Sequence, residues 1–373
     1  MNRILAKKHV QELLSFAGIN INGENPWDIH ILHDGFYKKA LLGGSLAVGE
    51  AYMQHWWDAD RLDEFFTRVL GISLEEKIHK NWHIFFHIMR SRLFNFSNIS
   101  GAFKIGRHHY DLGNDLFSKM LDKRMIYTCA YWTKAATLDE AQENKLELTC
   151  QKLELERGMK VLDIGCGWGG FAKYASERFG VSVTGLTVSE EQAKSARELC
   201  RGLPVEIKLL DYRQFHGQFD RVVSLGMFEH VGYKNYRLYM EKASRYLKDN
   251  GLFLLHTIGT NISSKWNDPW IDRYIFPGSL LPSIQQIGKA IEGLFVMEDW
   301  HNFGADYDKT LMAWHQNFVN HWEDLKGRYD EIFFRMWKYY LLSCAGAFRA
   351  RKNQLWQIVL SKKGVPGGYV SLR

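Results

Sequence analysis

The stretch VVSLGMFEHVG places a glutamate and a histidine, Glu229 and His230, directly after a run of apolar residues. The apolar run predicts a buried strand that ends at this pair. A carboxylate at the open end of a strand gives up hydration, so we expect it to move a proton or to hold a ligand. Because neighbouring strand residues point to opposite faces, we expect His230 to point away from Glu229 and to be structural.

A second candidate site is the glycine-rich loop VLDIGCGWGG, residues 161–170. Glycine lets the backbone approach a ligand closely, and three of these glycines satisfy the G-x-G-x-x-G pattern of dinucleotide sites. An NAD site also needs an acidic residue about 20 positions further on, but the next predicted strand ends in Gly-Leu-Thr, residues 185–187. Asp163, two residues before the first glycine of the pattern, would attract a cationic ligand and repel a pyrophosphate. The loop therefore favours a cationic cofactor.

Predicted strands and helices alternate from about residue 108 onward. The strand segments are MKVLDIG, VSVTGLTV, VEIKLLD, FDRVVSLGM and GLFLLHTIG, and the helices include GGFAKYASERFG, SEEQAKSARELCRGL and YKNYRLYMEKASRYLK. Ser189 and Gln192 predict a capping box at the start of the second helix. The alternation predicts an α/β fold of Rossmann-like type, with a mostly parallel sheet, helices on both faces and ligands at the carboxyl ends of the strands. Glu229 ends the fourth predicted strand and His256 the fifth, so both should face one crevice.

The chain divides into three predicted regions. Residues 1–72 predict a small accessory domain of α+β type, and residues 73–107 a linker helix. Residues 108–373 predict the catalytic domain, in which the aromatic-rich part beyond residue 262 covers the carboxyl end of the sheet.

The linker helix is basic and amphipathic. It begins with a predicted capping box, Ser73 with Glu76, and no acidic residue occurs from 77 through 110. One interpretation is a linker docked on the core with a solvated basic face. The alternative is an interfacial helix that holds anionic lipid headgroups. Nucleic-acid binding ranks third, because no known reader motif accompanies the charge.

The composition of the 373 residues narrows the function classes. A net charge of +6 favours an anionic partner, either nucleic acid or a phospholipid surface. Five cysteines without a C-x-x-C pair indicate a reducing compartment and no disulfide framework or zinc site, so we expect no metal. The first residues lack the apolar run of a signal peptide, and no window of about 18 apolar residues occurs. We therefore expect a cytoplasmic protein that associates with a membrane peripherally.

Six motifs in a fixed order give this sequence a resemblance to a known family. The D-x-G-x-G-x-G order in LDIGCGWGG is similar to the cofactor loop of S-adenosylmethionine-dependent methyltransferases. Together with HHYDLGNDLF, MIYTCAYW, GMFEHVG, DWHNFGADYDKTLMAW and YLLSCAGAFRARKNQLWQ, it resembles the bacterial cyclopropane-fatty-acyl-phospholipid synthases. The resemblance covers nearly the whole chain, including the N-terminal GSLAVGEAYMQHWWDADRLDEFF, and implies that the accessory domain binds lipid.

The resemblance implies a reaction and its partners. A cis double bond of a phospholipid acyl chain attacks the methyl carbon of S-adenosylmethionine, the carbocation loses a proton from the new methyl group, and a cyclopropane ring closes. A bound bicarbonate ion is implied as the base, the inner face of the cell membrane as an anionic partner surface, and a homodimer as the assembly, with no nucleic acid. The residues that match the bicarbonate site are Cys129, Glu229, His256, Ile258 through its backbone, and Tyr307. We expect Glu229 to share a proton with the anion, and His256 and Tyr307 to donate hydrogen bonds to it.

The resemblance also assigns residues to S-adenosylmethionine. They are Tyr127 and Thr128 for its methionine part, Asp163, Gly165, Gly167 and Gly169 for the loop beneath it, Thr187, Val188 and Gln192 for the ribose, and Asp211, Tyr212 and Arg213 for the adenine. Without the resemblance, the alternative interpretation of Asp211 is that it simply begins a turn.

Two cysteines match family positions, and His109 is a further candidate. Cys129 has aromatic neighbours rather than the basic ones that activate a thiol, so we expect it to line the anion pocket. Cys344 matches a cysteine that has been considered catalytic; we favour a buried small residue over a nucleophile, because the reaction has no use for a covalent enzyme intermediate. His109 either closes over the cofactor carboxylate or caps a helix.

Two other functions compete with this prediction. A lipid C-methyltransferase would share the first step but would convert the cation to a methyl-branched chain. A nucleic-acid methyltransferase would use the basic residues to hold phosphates. The aromatic share of 14% fits a site that stabilises a cation on ring faces, and it also fits plain core packing.

Overall fold

The structure, a computed structural model, describes residues 3–72 and 113–373. The predicted linker helix, its capping box and His109 lie outside these described residues. The chain forms two compact units. Of the described residues, the first unit contains 3–72, 113–120, 267–277 and 311–352, and the second contains 121–266, 278–310 and 353–373.

The helices and strands are numbered in chain order. The helices are α1 (Arg3–Ser15), α2 (Phe36–Met53), α3 (Leu62–Gly71), α4 (Asn114–Met120), α5 (Leu138–Lys152), α6 (Gly170–Phe179), α7 (Glu190–Leu199), α8 (Tyr236–Tyr246), α9 (Pro269–Tyr274), α10 (Ile284–Ile291), α11 (Ala305–Asn320), α12 (Trp322–Leu325) and α13 (Glu331–Arg349). The strands are β1 (His30–Ile31), β2 (Trp57–Asp58), β3 (Lys160–Ile164), β4 (Ser182–Thr187), β5 (Val205–Leu209), β6 (Phe219–Leu225), β7 (Leu247–Thr260), β8 (Val296–Asn302) and β9 (Asn353–Ser361). Short 3-10 helices span Tyr212–Gln214, Phe228–His230 and Tyr233–Asn235.

The first unit joins the N-terminal residues to two later segments. It contains α1–α4, the antiparallel pair of β1 and β2, and the helices α9, α12 and α13. Arg335 of α13 donates hydrogen bonds to the backbone oxygens of Tyr52 at 2.7 Å and Trp57 at 3.1 Å, and its guanidinium pairs with Asp58 at 2.9 Å. These bonds explain why residues 311–352, which we assigned to the catalytic domain, group with the N-terminal part. The predicted boundary at residue 108 stays a prediction.

The second unit is built on a seven-stranded sheet in the order β5-β4-β3-β6-β7-β9-β8. Strands β3 to β7 run parallel, whereas β9 runs antiparallel to both β7 and β8. This mostly parallel sheet with helices confirms the predicted α/β, Rossmann-like fold. The strand order changes direction between β3 and β6, which is the topological switch point where such folds bind ligands.

Alternation along the strands gives the sheet two apolar faces. Leu162 of β3 and Phe253 of β7 belong to one buried cluster, which includes side chains of α8 and α10. Val161 and Leu254, their immediate neighbours in sequence, belong to the opposite cluster, which includes side chains of α5 and α6. Because side chains point to opposite faces in turn, the position of a residue along its strand decides which helices it meets.

Two local details differ from the sequence prediction. The fourth strand of the catalytic unit ends at Leu225, so Glu229 lies in a 3-10 helix beyond the strand rather than at its last residue. Ser189 caps α7 by accepting a hydrogen bond from Gln192 N–H at 3.3 Å, but the Gln192 side chain meets Thr187 Oγ1 at 3.0 Å instead of completing the capping box. Across the described residues, no helix has the length and apolarity needed to cross a bilayer.

Candidate active site

A cavity of about 580 Å³ opens at the carboxyl ends of the central strands. It lies at the switch point, where the loops after β3, β4 and β6 meet. Most of the residues that we assigned to the cofactor line it: Tyr127, Thr128, Asp163, Gly165, Gly167, Thr187, Val188, Gln192, Asp211, Tyr212 and Arg213. The fold therefore brings together residues that are up to 86 positions apart, from Tyr127 to Arg213.

The glycine loop takes a backbone path that only glycine adopts easily. Gly165 has φ +88°, and a Cβ on it would lie 2.8 Å from the Cβ and Cγ of Met227. The backbone N–H groups of Gly165 and Cys166 donate to Leu186 O at 3.0 and 2.9 Å, which ties the loop to the end of β4. Gly169, which we assigned to the cofactor, instead caps α6 and packs beside Ala196 of α7. Its neighbour Gly170 lines the cavity.

The ends of β4 and β5 supply the polar rim of the cavity. Asp211 accepts hydrogen bonds from the backbone N–H of Arg213 at 2.8 Å and from its Nε at 2.9 Å. The Arg213 hydrogen bonds hold the pKa of Asp211 below its usual range. Asp211 thus begins a turn and also lines the cavity, so the two interpretations of this residue are compatible.

Asp163, which lines the cavity, and Lys145 are two buried ionisable residues that influence each other's pKa. The Lys145 side chain is fully buried, and its Nζ donates a hydrogen bond to Thr128 Oγ1 at 2.7 Å. Burial lowers the pKa of Lys145 to about 8, against the attraction of Asp122 and Asp163. Burial raises the pKa of Asp163 to about 7, and Lys145 opposes that rise. Asp163 Oδ1 has no hydrogen-bond partner among the described residues, so it is available to a polar or cationic ligand.

Glu229 is anchored through one carboxylate oxygen. Its Oε1 accepts a hydrogen bond from the backbone N–H of Ile258 at 2.7 Å, and its Oε2 is buried without a partner among the described residues. Burial raises the pKa of Glu229 to about 7, against the opposing hydrogen bond from Ile258. A carboxyl group in this state can either hold or release a proton near neutral pH.

His256 lies on β7, the strand whose Ile258 N–H donates the hydrogen bond to Glu229. It sits two residues before Ile258 on β7, and its Nε2 is buried without a partner in the described part of the chain. Burial and the charges of Lys145 and Lys152 lower its pKa well below the usual value, so the ring is neutral at pH 7. A buried carboxyl oxygen and a buried imidazole nitrogen near the same strand end are a suitable pair for a small polar ligand.

Cys129 belongs to a separate hydrogen-bonded group around Thr310. The Thr310 hydroxyl oxygen accepts from Ala130 N–H at 3.1 Å and from Trp132 Nε1 at 3.0 Å, and it lies 4.0 Å from Cys129 Sγ. Burial and the nearby Asp306 raise the pKa of the Cys129 thiol well above its usual value. The thiol is therefore protonated at neutral pH, which agrees with a residue that lines a pocket and does not act as a nucleophile.

Tyr307, another residue assigned to the anion, is buried in the first turn of α11.

The structure shows the surroundings of two further residues, His230 and Cys344. In a 3-10 helix successive side chains are about 120° apart, so His230 does not oppose Glu229 as it would in a strand; it lines the cavity instead. Cys344 lies on α13 in the first unit and is partly buried. Burial raises the pKa of its thiol to about 12, so almost no thiolate exists at neutral pH.

Sequence reasoning missed a polar stripe on α5. Gln142, Lys145, Thr149 and Lys152 recur at intervals of three, four and three, and all four are fully buried. Gln142 Nε2 donates to Thr128 O at 2.8 Å, so the stripe holds the loop that carries two cofactor-lining residues. The sequence pattern that could have revealed this stripe is the helical spacing of its polar residues. The helix itself was predictable, because it begins with a capping box of Thr137 and Glu140. Within 3–72 and 113–373, no cluster of three or more His, Cys, Asp or Glu side chains is arranged to hold a metal.

The raised pKa of Glu229 predicts a pH-dependent stability. The folded protein keeps the Glu229 proton up to about pH 7, whereas the unfolded chain releases it near pH 4.5, so stability falls as pH rises through that window. We expect wild type to lose about 2 kcal/mol relative to Glu229→Gln between pH 5 and pH 8, measured by urea unfolding in degassed buffer. Glu191→Gln, at an exposed position on α7, controls for the loss of a carboxylate. A constant difference between wild type and Glu229→Gln across this range would contradict the prediction.

The chain is similar to proteins of one known family. A family profile described as mycolic acid cyclopropane synthetase matches residues 98–358. The cyclopropane-fatty-acyl-phospholipid synthase of Escherichia coli strain K12 is 54% identical over 357 residues, which are 96% of this chain and 93% of that protein.

Two solved structures are similar to this chain. The cyclopropane synthase MmaA2 from Mycobacterium tuberculosis has a TM-score of 0.65 at 30% identity, and the match covers 71% of this chain and 100% of that one. The mycolic acid cyclopropane synthase CmaA1, in a complex with SAH and CTAB, has a TM-score of 0.64 at 33% identity, over 68% of this chain and 96% of its own. This chain therefore belongs to the mycolic acid cyclopropane synthetase family, and it is an enzyme with the S-adenosylmethionine-dependent methyltransferase fold.

Proposed function

We propose that this protein transfers a methylene group from S-adenosylmethionine to the cis double bond of unsaturated acyl chains in membrane phospholipids, forming a cyclopropane ring. The observation that carries the proposal is the 54% identity to a cyclopropane-fatty-acyl-phospholipid synthase over 96% of this chain. The cavity lined by Asp163, Thr187 and Asp211 supports it, because an acid at the glycine loop suits a sulfonium cofactor. Its volume of about 580 Å³ is in the range of small-molecule sites.

We assign the residues around the cavity to parts of the cofactor. The loop of Tyr127 and Thr128, held by Lys145 and Gln142, would orient the methionine part. The pair of Thr187 and Gln192 would meet the ribose, and Asp211 with its neighbours the adenine. An alkene is a weak nucleophile, so holding the donor in one orientation and excluding water are the main contributions that the protein can make.

The residues near the end of β7 fit a small anion such as bicarbonate. The fit rests on two buried atoms without partners among the described residues, Glu229 Oε2 and His256 Nε2. Protonated Glu229 and neutral His256 can each donate one hydrogen bond, and Tyr307 would complete the site with Cys129 as a wall. The backbone N–H of Ile258, which we also assigned to the anion, already donates to Glu229 Oε1, so Ile258 would act by holding Glu229. When bound, bicarbonate would supply the base for the last proton. Glu229, with its pKa raised to about 7, would hold a shared proton at Oε2.

We also propose that the enzyme works at the inner membrane surface, peripherally attached and as a homodimer. The net charge of +6 supports an anionic partner surface, and two copies would raise the avidity for it. Co-sedimentation with vesicles of anionic phospholipid, against retention on DNA at the same salt concentration, tests the partner. Preference for DNA would favour a nucleic-acid methyltransferase instead.

Lipid analysis after expression tests the reaction itself. Expressed in a host that makes unsaturated phospholipids but no cyclopropane rings, the protein should convert unsaturated chains to chains heavier by one CH2 that resist hydrogenation as ring lipids do. Methyl-branched saturated chains would identify a lipid C-methyltransferase and overturn the proposal. An inactive variant, such as Glu229→Gln, should leave the host lipids unchanged.

We expect Cys344→Ser to retain substantial activity, with kcat within about threefold of wild type. The reason is that a thiol with its pKa raised to about 12 is a poor nucleophile, and serine fills nearly the same space. Steady-state assays on phospholipid vesicles give kcat, with Cys344→Ala as a second variant that lacks any hydroxyl. Complete loss of turnover in both variants, with unchanged thermal unfolding, would restore Cys344 as a catalytic residue.

A further inference from the structure

The polar stripe of α5 reaches the strand that carries His256. His256 of β7 and Gln357 of β9 are paired across the antiparallel ladder, so their side chains project from the same face of the sheet. Thr149 is the stripe residue that contacts Gln357, and the side chains of Thr149, His256 and Gln357 are at most 1% exposed. Buried polar residues such as these depend on one another for hydrogen bonds, and the number of hydrogens that each group carries limits the directions of those bonds. Gln357 Oε1 and His256 Nε2 have no partner among the described residues.

The direction of each hydrogen bond follows from Thr149. Its hydroxyl donates to Lys145 O at 2.7 Å, and a hydroxyl has only one hydrogen. Thr149 Oγ1 can therefore only accept from Gln357, so the amide must turn its Nε2 toward Thr149, at 3.1 Å. The same Nε2 lies 3.4 Å from His256 Nδ1, to which it presents its second hydrogen. Nδ1 of His256 is thus an acceptor.

An acceptor at Nδ1 determines where the imidazole proton resides. His256 is neutral at pH 7, because burial and the charges of Lys145 and Lys152 lower its pKa. A neutral imidazole has a single N–H, so the proton must be on Nε2. Nε2 is the buried ring nitrogen that has no partner among the described residues.

We propose that Gln357, oriented by Thr149, is a positioning residue that holds His256 in the tautomer protonated at Nε2. This arrangement gives the site near Glu229 a fixed hydrogen-bond donor. The role of that donor rests on the proposed function, since its target is the anion that Glu229 and His256 would share. The opposite tautomer would present a lone pair to an anion and repel it.

The tautomer can be measured without any assay of activity. With ¹⁵N-histidine labelling, the two ring nitrogens of His256 are assigned by comparison with His256→Gln, and their chemical shifts show which one is protonated. At pH 7 we expect Nδ1 to resonate as an unprotonated nitrogen and Nε2 as a protonated one. Protonation at Nδ1, or of both nitrogens, in the wild-type protein would overturn the proposal whatever reaction the enzyme catalyses.

Variants of Gln357 and Thr149 connect the tautomer to turnover. Gln357→Glu has the same shape, and its ionised carboxylate offers only acceptors, so at a pH where this buried carboxyl is ionised (about pH 9) we expect the proton to move to Nδ1 and kcat to fall about 100-fold. The Kd for S-adenosylmethionine should stay within about twofold of wild type, because neither residue lines the cofactor cavity. Thr149→Ser keeps the hydroxyl and should keep the wild-type tautomer and kcat. The isosteric Thr149→Val lacks the hydroxyl and should lose both. A Gln357→Glu protein with an unchanged tautomer and unchanged kcat would also overturn the proposal.

The outcomes also separate this proposal from the proposed function. If wild type forms no cyclopropane lipid but His256 is protonated on Nε2, the proposed function fails and the positioning role of Gln357 stands. If wild type forms the ring while His256 is protonated on Nδ1, the proposed function stands and the positioning role fails.

Discussion

We expect Glu229→Gln to lower turnover about 1000-fold while S-adenosylmethionine still binds. Glutamine has nearly the same shape, and its Oε1 can keep the 2.7 Å hydrogen bond from Ile258 N–H. An amide can neither take up nor release a proton at neutral pH, whereas the pKa of Glu229 is raised to about 7. The variant therefore removes the proton chemistry and leaves the packing in place.

Two measurements together identify the role of Glu229. Turnover is measured on phospholipid vesicles, and the Kd for S-adenosylmethionine is measured by calorimetry on the same preparation. Glu191→Gln, an exposed substitution on α7, should leave turnover unchanged. Loss of cofactor binding in Glu229→Gln would show that Glu229 serves the cofactor and not the anion, and wild-type turnover would show that it serves neither.

We expect Gly165→Ala to weaken S-adenosylmethionine binding about 100-fold. The backbone at Gly165 has φ +88°, and its new Cβ would lie 2.8 Å from two side-chain atoms of Met227, so the loop must shift where it lines the cavity. Returning the shifted loop to the conformation of Gly165 would cost about 3 kcal/mol, from the left-handed backbone and the collision together, and if cofactor binding requires that conformation the cost corresponds to this factor. The Kd is measured by calorimetry.

Gly158 provides a matched control for the glycine loop. It has nearly the same backbone, φ +87°, but a Cβ there would meet no atom within 4 Å, and Gly158 does not line the cavity. Gly158→Ala should therefore cost only stability, about 1 kcal/mol, and leave the Kd unchanged. Equal losses of affinity in both variants would show that backbone strain acts through the whole fold, and that the loop has no special role in binding.

Local patterns were sufficient to predict the sheet and the glycine loop. Strands such as Lys160–Ile164 and Ser182–Thr187 are short apolar runs, and the loop between them needs glycines that the sequence shows directly. The end of a strand is a less local property. Strand β6 ends at Leu225, where its pairing with β7 stops, so Glu229 reaches Ile258 from a 3-10 helix that no periodicity indicated.

The buried polar stripe of α5 could not be predicted from composition. Lysine and glutamine at helical spacing normally indicate a solvated face, and only tertiary packing shows that Lys145 and Lys152 are fully buried. The grouping of residues 311–352 with the N-terminal part was likewise hidden, because it depends on contacts of Arg335 with residues more than 270 positions away. Both features rest on long-range contacts, and sequence patterns report mainly short-range ones.

The most direct test of the proposed reaction follows the hydrogens of the transferred methyl group. Purified enzyme is incubated with vesicles of cis-unsaturated phospholipid and S-adenosylmethionine that carries a fully deuterated methyl group, and the acyl chains are analysed by mass spectrometry. Loss of one proton from the new methyl group and closure of the ring predict a product that keeps two of the three deuterium atoms. A product that keeps all three would show methyl branching and would contradict the proposed function.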